Sequence, residues 1–500
     1  MITAHLPVLQ VIVPLLAAPL CVLLHRPQLV WIFALLVNAV AFLISALLLQ
    51  QVLTTGAISY ELGGWSSQWG IEYYIDPLNA FLLVIITSIS TLVLVASKAS
   101  LGKELSINRH TFFYIAYLLC LAGLLGIVAT GDAFNVFVFL EISSLSSYAM
   151  IALGKNRKAL MAAYQYLIMG TIGATFILIG IGLMYMVTGT LNMHDMALRL
   201  PDAEESRTAF AAFAFFIVGV CIKLALFPLH QWLPNAYAYA PSIASAFLAA
   251  TATKVAIYVL IRFMLTIFGI EFFTSTGPWQ HILLVMSLFG IVTASIVAIY
   301  QDNVKRLFAY SSVAQIGYII LGFSLGTASG LVAALLHLFN HALMKGALFL
   351  ALAAVMYRVG GVNLKNFNGL AKTMPWTMAA IVIGGLSLVG VPLTVGFVSK
   401  WYLVITLIDQ GWWLVVALIL FSSLLALVYV WRIVEAAYFG STEEALRPDT
   451  NGAVARHEAP FSILIPVWLL VIANIYFGID TRLSVNVAHT IAQNLFGMMP

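Results

Sequence analysis

The chain alternates between apolar runs of about 20 residues and short polar or Gly/Pro/Asn clusters. A helix needs about 20 mostly apolar residues to cross a bilayer. Breaking the sequence at the clusters predicts fourteen membrane-spanning helices. Spans 1–14 are expected near residues 6–24, 29–51, 76–97, 110–130, 132–153, 160–188, 207–231, 242–265, 279–300, 305–326, 329–357, 375–407, 411–439 and 459–478. No long soluble domain remains, and the longest loops are 52–75, 189–206 and 440–458. Residues 1–24 lack the basic stretch that opens a cleavable signal, so the first apolar run is expected to stay as a helix.

Composition agrees with that pattern. Of 500 residues, 62% are hydrophobic and 8% charged, against about 25% charged in a soluble domain. The fold class is therefore an all-α polytopic membrane protein. Cys21, Cys120 and Cys221 each sit in an apolar run. Their separation argues against a disulfide framework or a metal site, and they read as packing residues.

The basic residues are segregated. Loops leaving odd-numbered spans contain Arg26, Lys98, Lys103, Arg109, Lys155, Arg157, Lys158, Lys305, Arg306, Arg358, Lys365, Lys372, Arg432, Arg447 and Arg456. Loops leaving even-numbered spans, with the C-terminal tail, contain only Arg199, Arg207, Arg262 and Arg482. The positive-inside rule puts the odd loops in the cytoplasm and both termini outside. The expected location is the plasma (inner) membrane of a prokaryote.

Four lysines remain, and each falls inside a predicted span: Lys223, Lys254, Lys345 and Lys400. Glu141 is the acid nearest the middle of a span. A charge at the bilayer centre costs at least ~2.5–3.5 kcal/mol unless it is paired or hydrated. Glu141 lies in FVFLEISSLSSY and is followed by Ser143, Ser144, Ser146 and Ser147. It reads as a carboxylate that exchanges a proton or pairs with a lysine; the plainer alternative is a structural ion pair. Lys223 lies in IKLALFPLHQWLP, where Pro228 removes a backbone donor and breaks the helix. Burial favours a neutral amine and a nearby carboxylate favours the ammonium, so a lysine whose partner can move is a switchable proton carrier. Snorkelling to an interface is the alternative. His230 and Trp232, beyond the break, read as interfacial. Lys254 sits among Ala, Ser and Thr, which suit close helix packing. His337, His341 and Lys345 are four residues apart in HLFNHALMKG and form one stripe on a helix. Histidine exchanges protons near neutrality, so the stripe reads as a relay; a single buried histidine would more often be packing. A metal site would need further ligands that the sequence does not offer. Lys400 follows Gly390, Pro392 and Gly396, which predict a second break.

Spans 7 and 12 thus share a disturbed helix and a lysine, five helices apart. Spans 4–8 and 9–13 fill blocks of similar length. Because five is odd, a repeat of this size must reverse its orientation in the membrane, as in many transporters with matched broken helices. The organisation expected is 1–109 (spans 1–3), 110–265 (first repeat), 279–439 (second, inverted repeat) and 440–500 (loop, span 14 and tail).

Several long stretches occur in order: DPLNAFLLV, FVFLEISSLSSY, IKLALFPLHQWLPNAYAYAPS, NVKRLFAYSSVAQIGY, HLFNHALMKGALF and GVPLTVGFVSKW. Through them the chain resembles the antiporter-like subunits shared by Mrp-type multisubunit cation/proton antiporters, membrane-bound hydrogenases and respiratory complex I. The resemblance implies two inverted five-helix repeats, broken helices 7 and 12, and a hydrated polar axis at the midplane. By it, Glu141 matches the helix 5 glutamate, Lys223 the helix 7 lysine and Lys254 the bridging helix 8 lysine. His337, His341 and Lys345 match the helix 11 motif, and Lys400 the terminal lysine or glutamate of helix 12. A lysine there is similar to the D-type subunits of the antiporters. Leu393 departs from a frequent second proline, and SKWYL is closer to hydrogenase-type members. No long lateral C-terminal helix follows span 14, which disfavours the largest complex I subunit and the large A-type subunit of the antiporters.

The function expected is a proton- and cation-translocating subunit of a Na+ or K+/H+ antiporter, working with other membrane subunits and without nucleic acid. The alternatives are a proton-pumping arm of a complex I-like NADH:quinone oxidoreductase or a hydrogenase, and a proton-coupled carrier of another solute. No cluster, flavin or nucleotide motif is visible, so no cofactor is expected.

Overall fold

The structure is a computed structural model that describes residues 2–200, 206–275, 277–440 and 458–497. Among the described residues, thirteen helices are long and apolar enough to cross a membrane. They are spans 1 (Leu6–Leu23), 2 (Pro27–Thr55), 3 (Pro77–Glu104), 4 (Ile107–Ala129), 5 (Ala133–Ala152), 6 (Arg157–Thr188), 7 (Arg207–Leu224), 8 (Ser242–Ile267), 9 (Trp279–Ile299), 10 (Val304–Ser324), 11 (Ala328–Val359), 13 (Trp413–Phe439) and 14 (Phe461–Ile479). Span 12 is two shorter helices, Pro375–Val389 and Val395–Asp409. The first long loop holds a hairpin of β1 (Ile58–Glu61) and β2 (Glu72–Ile75). An amphipathic helix, Arg482–Leu495, follows span 14. Most of the predicted loop 440–458, with Arg447 and Arg456, lies outside the described residues.

Short polar side chains start the spans. Asp76 accepts the Leu78 and Asn79 backbone N–H groups at 2.9 and 3.0 Å, and the Asn79 side chain accepts from the Asp76 N–H in return. Asp132, Asn156, Ser206, Asn303 and Thr327 cap spans 5, 6, 7, 10 and 11 in the same manner. Each satisfies a donor that hydrocarbon cannot.

The repeat is written in these caps and ends. Spans 6 and 11 are each 32 residues long and each stops at a left-handed glycine, Gly189 and Gly360. Isolated bridges join Asp132 to Asn192 and Asn303 to Asn363, so each clasps the start of one helix to the chain just after the next. The first halves of spans 7 and 12 end on left-handed residues, Ala225 and Gly390. Spans 8 and 13 both finish in a π-turn, Arg262–Ile267 and Glu435–Phe439. Two five-helix units of opposite orientation therefore build the core.

Span 11 runs through the middle and touches spans 3, 8, 10 and 14, both halves of span 12 and the C-terminal helix. Spans 8 and 10 are also almost wholly buried, whereas spans 2, 6, 9, 13 and 14 present apolar side chains outward.

Several expectations need correction. Span 7 does not run to residue 231: it stops at Leu224, and the chain resumes helix at Trp232–Tyr239. Trp232 is buried rather than interfacial, and its indole N–H donates to the Ile222 carbonyl across the break at 3.0 Å. Arg262 is no loop residue. It is buried in span 8 and pairs with Asp76 at 2.8 Å, because a charge at that depth must find a partner. Lys305 is likewise buried, at the start of span 10. Gly396 is not part of the break but lies inside the second half of span 12, where an added Cβ would collide with the Ser387 carbonyl oxygen. Its role is close approach of the two halves. Gly396→Ala should therefore cost about 1–3 kcal/mol through overpacking, read as a lower melting temperature of the detergent-solubilised protein; an unchanged midpoint would refute the close fit.

Candidate functional site

Spans 5, 7, 8, 11 and 12 bring the predicted ionisable residues onto one line through the bundle, and span 10 supplies partners to it. At one end, Lys223 Nζ lies 3.8 Å from Glu141 Oε1 and donates to Ser144 Oγ at 2.8 Å. The Glu141 side chain is 26% exposed, while that of Lys223 is 5% exposed. Ser143, Ser144, Ser147 and Lys223 line an internal cavity of ≈ 30 Å³, room for a water molecule.

The next lysine sits at a break that the sequence did not announce. Span 8 is interrupted at Thr251 (φ −122°, ψ −54°), between helices Ser242–Ala250 and Ala252–Ile261. Lys254 Nζ donates to the Ala249 carbonyl at 2.5 Å, one of the orphan carbonyls at the end of the first half. A proton taken up by this amine would thus meet the negative end of a helix dipole.

Lys254 is within electrostatic reach of His337, His341 and Lys345. His341 is fully buried, with its ring centroid 6.4 Å from that of His337. Neither of its nitrogens has a protein partner among the described residues. Lys345 donates to the Phe308 carbonyl at 2.8 Å and to Ser311 Oγ at 2.5 Å. His337 is held on both sides: Nε2 lies 2.8 Å from Gln315 Oε1 and Nδ1 lies 2.8 Å from Ser399 Oγ. With the amide oxygen as acceptor, Nε2 carries the proton.

Lys400 closes the line. Its Nζ donates to the Leu388 and Val389 carbonyls at 3.0 and 2.9 Å and to Ser423 Oγ at 3.0 Å. Three acceptors match the three N–H bonds of an ammonium. The side chain reaches back over the break to the last carbonyls of the first half of span 12. It also lies over the Tyr318 ring, 4.8 Å from the centroid, and the Tyr318 and His337 ring centroids are 5.5 Å apart.

A chemical pattern follows. Lys223, Lys345 and Lys400 each touch a serine hydroxyl: Ser144, Ser311 and Ser423. A hydroxyl accepts from an ammonium and donates to a neutral amine. Each lysine can lose a proton while the serine turns over, so the carbonyl contacts of Lys345 and Lys400 need not break. Pro392 and Gly390 lie in the span 12 break and Pro228 in the span 7 break, as expected. Ser399, Ser423 and Tyr318 were missed from sequence, because one hydroxyl in an apolar run carries no distinguishing pattern. A far larger cavity, ≈ 660 Å³, lies off this line beside Asp76 and Arg262.

Thirteen long spans and a broken span 12 among the described residues, with a Glu/Lys/His line inside them, define a polytopic bundle of the transport type. A profile described as NADH:quinone oxidoreductase/Mrp antiporter, TM matches residues 130–426, and the chain belongs to that family. It is 43% identical over 485 residues to NADH-quinone oxidoreductase subunit N of Desulforudis audaxviator, covering 95% of this chain and 96% of that one. It is 29% identical to the D-type subunit of a Na(+)/H(+) antiporter from Bacillus subtilis, covering 95% and 94%. Among solved structures it matches a chain of the Mrp complex from Dietzia sp. at TM-score 0.88 and 24% identity, over 100% of this chain and 98% of that one. It also matches a chain of an archaeal membrane-bound sulfane sulfur reductase at TM-score 0.87 and 31% identity, over 98% of each.

The carbonyl contacts of Lys400 are open to test. Lys400→Met leaves buried acceptors unmet and should cost about 1–3 kcal/mol, seen as a lowered melting temperature. Lys400→Glu should cost more at high pH, where a carboxylate faces those carbonyls. Equal melting points for all three proteins would show that the contacts do not hold the break.

Proposed function

We propose that this chain is the ion-translocating subunit of a multisubunit Na+ or K+/H+ antiporter, passing protons along Glu141, Lys223, Lys254, Lys345, His341, His337 and Lys400. The observation that carries the reading is the run of serine-partnered and carbonyl-partnered lysines buried in helices otherwise built for lipid. Protonation changes the Glu141–Lys223 pairing, and the change in charge is felt at Lys254 and then along span 11 to Lys400. A membrane potential contributes about 2.3 kcal/mol per charge per 100 mV, enough to bias such steps. The outward edge of Glu141 supports contact with another membrane subunit, since a carboxylate at that depth is not left to hydrocarbon. The segregation of basic loops supports cytoplasmic odd-numbered loops and termini on the outer side, in a prokaryotic plasma membrane.

A second reading is favoured by the 43% identical relative: the same axis would serve as a proton-pumping arm driven by electron transfer in partner subunits. A carrier of a larger solute is disfavoured, because the cavity on the line is ≈ 30 Å³ and small-molecule sites occupy about 300–1,000 Å³.

Inverted vesicles containing the whole complex separate these readings. Sodium or potassium should collapse a proton gradient in the wild type. Glu141→Gln and Lys223→Ala should each lose that response at matched assembly. Proton movement that requires an electron donor would select the second reading, and normal transport by both variants would dismiss the relay.

A further inference from the structure

Among the described residues, one buried lysine stands outside the line described above. Lys305, near the start of span 10, is 1% exposed. Its Nζ donates to the Ala240 carbonyl at 3.1 Å, a single acceptor for three N–H bonds. Ala240 ends the second half of span 7. Lys305 thus caps a helix end, as Lys254 and Lys400 do, but at the close of span 7 rather than at a break within a span.

Unlike them, it reaches open space. Lys305 and Glu104 line a cavity of ≈ 520 Å³ whose rim includes Lys103, Lys155 and Arg358. The three rim residues are exposed and belong to the loops that the charge distribution assigns to the cytoplasm. Glu104 is held in place by the Ser242 backbone N–H and the Ser100 hydroxyl, both at 2.9 Å. It lies within electrostatic reach of Lys305. Three residues further along span 10, about 4.5 Å of helical rise, is Phe308, whose carbonyl accepts from Lys345 at 2.8 Å. The floor of the vestibule and the centre of the relay are therefore joined by one stretch of one helix.

We propose that Lys305 is the cytoplasmic portal of the relay: it takes a proton from water in the vestibule and passes it, through water, to Lys345. This rests on reading the chain as a proton-translocating subunit. The step breaks one N–H bond at the Lys305 ammonium and forms one at the neutral Lys345 amine. Lys305 is then reloaded from the vestibule, with no other reactant. The charged groups that share the cavity with it are Glu104 and Lys103 of span 3, Lys155 and Arg358. Glu104 would steady the charged form of Lys305 at the mouth.

The test uses the complete complex in inverted vesicles, whose cytoplasmic face is outward. Arginine keeps the charge and a donor for Ala240 but does not release its proton. Lys305→Arg and Lys305→Gln, at matched assembly, should each slow proton movement by about a hundredfold. Wild-type rates in either variant would overturn the proposal and leave Lys305 a strut. Where a variant fails to assemble, Lys305→Cys decides. The native cysteines are all buried, so a membrane-impermeant maleimide should label the new thiol at this position in inverted vesicles. Labelling only from the opposite face, or none from either, overturns the portal. Wild-type vesicles without proton movement would instead count against the functional reading, while the labelling result would still report on the vestibule.

Discussion

A helix broken inside a membrane leaves carbonyl groups that water does not reach, and something else must donate to them. In this protein lysine does so repeatedly. Lys254 meets Ala249, and Lys400 meets Leu388 and Val389. Each carbonyl belongs to the end of a half-helix, where the dipole favours positive charge. The costly features of the fold, severed helices and buried cations, offset one another.

This dependence explains why the ion line and the fold cannot be separated. A structural cap made by a neutral side chain would hold the break but carry nothing. Lys345, in the unbroken span 11, instead takes its acceptors from span 10, the Phe308 carbonyl and the Ser311 hydroxyl. The serines Ser311 and Ser423 add tolerance: they let an amine change its protonation without releasing its backbone contacts. Burial of Arg262 against Asp76 obeys the same rule, but with a carboxylate as partner the pair is locked rather than switchable.

The spans were legible because bilayer thickness imposes a length that apolar runs reveal directly. The breaks at Pro228 and at Gly390–Pro392 were legible because those residues disrupt helices by their own geometry. The break at Thr251 was not, since no proline or glycine marks it and only tertiary packing bends the chain there. Lys305 misled for a different reason. A lysine beside an arginine at the edge of an apolar run reads as a loop residue, and only the fold shows that span 7 covers it. Gly396 read as a breaker because glycine serves both flexibility and close approach, and the sequence does not say which. The stripe of His337, His341 and Lys345 was legible from spacing, whereas the distinction between a tightly held His337 and a His341 without protein partners among the described residues was not.

Span 11 is enclosed by spans 3, 8, 10, 12 and 14. A rod gripped on all sides neither rocks nor slides unless most of the bundle goes with it, and collective motions of that size take microseconds or longer. What is free at the centre is small: a hydroxyl rotor, an imidazole ring, the tip of an amine. The machinery at the midplane is thus a stationary frame holding light, fast parts, and its timing belongs to those parts.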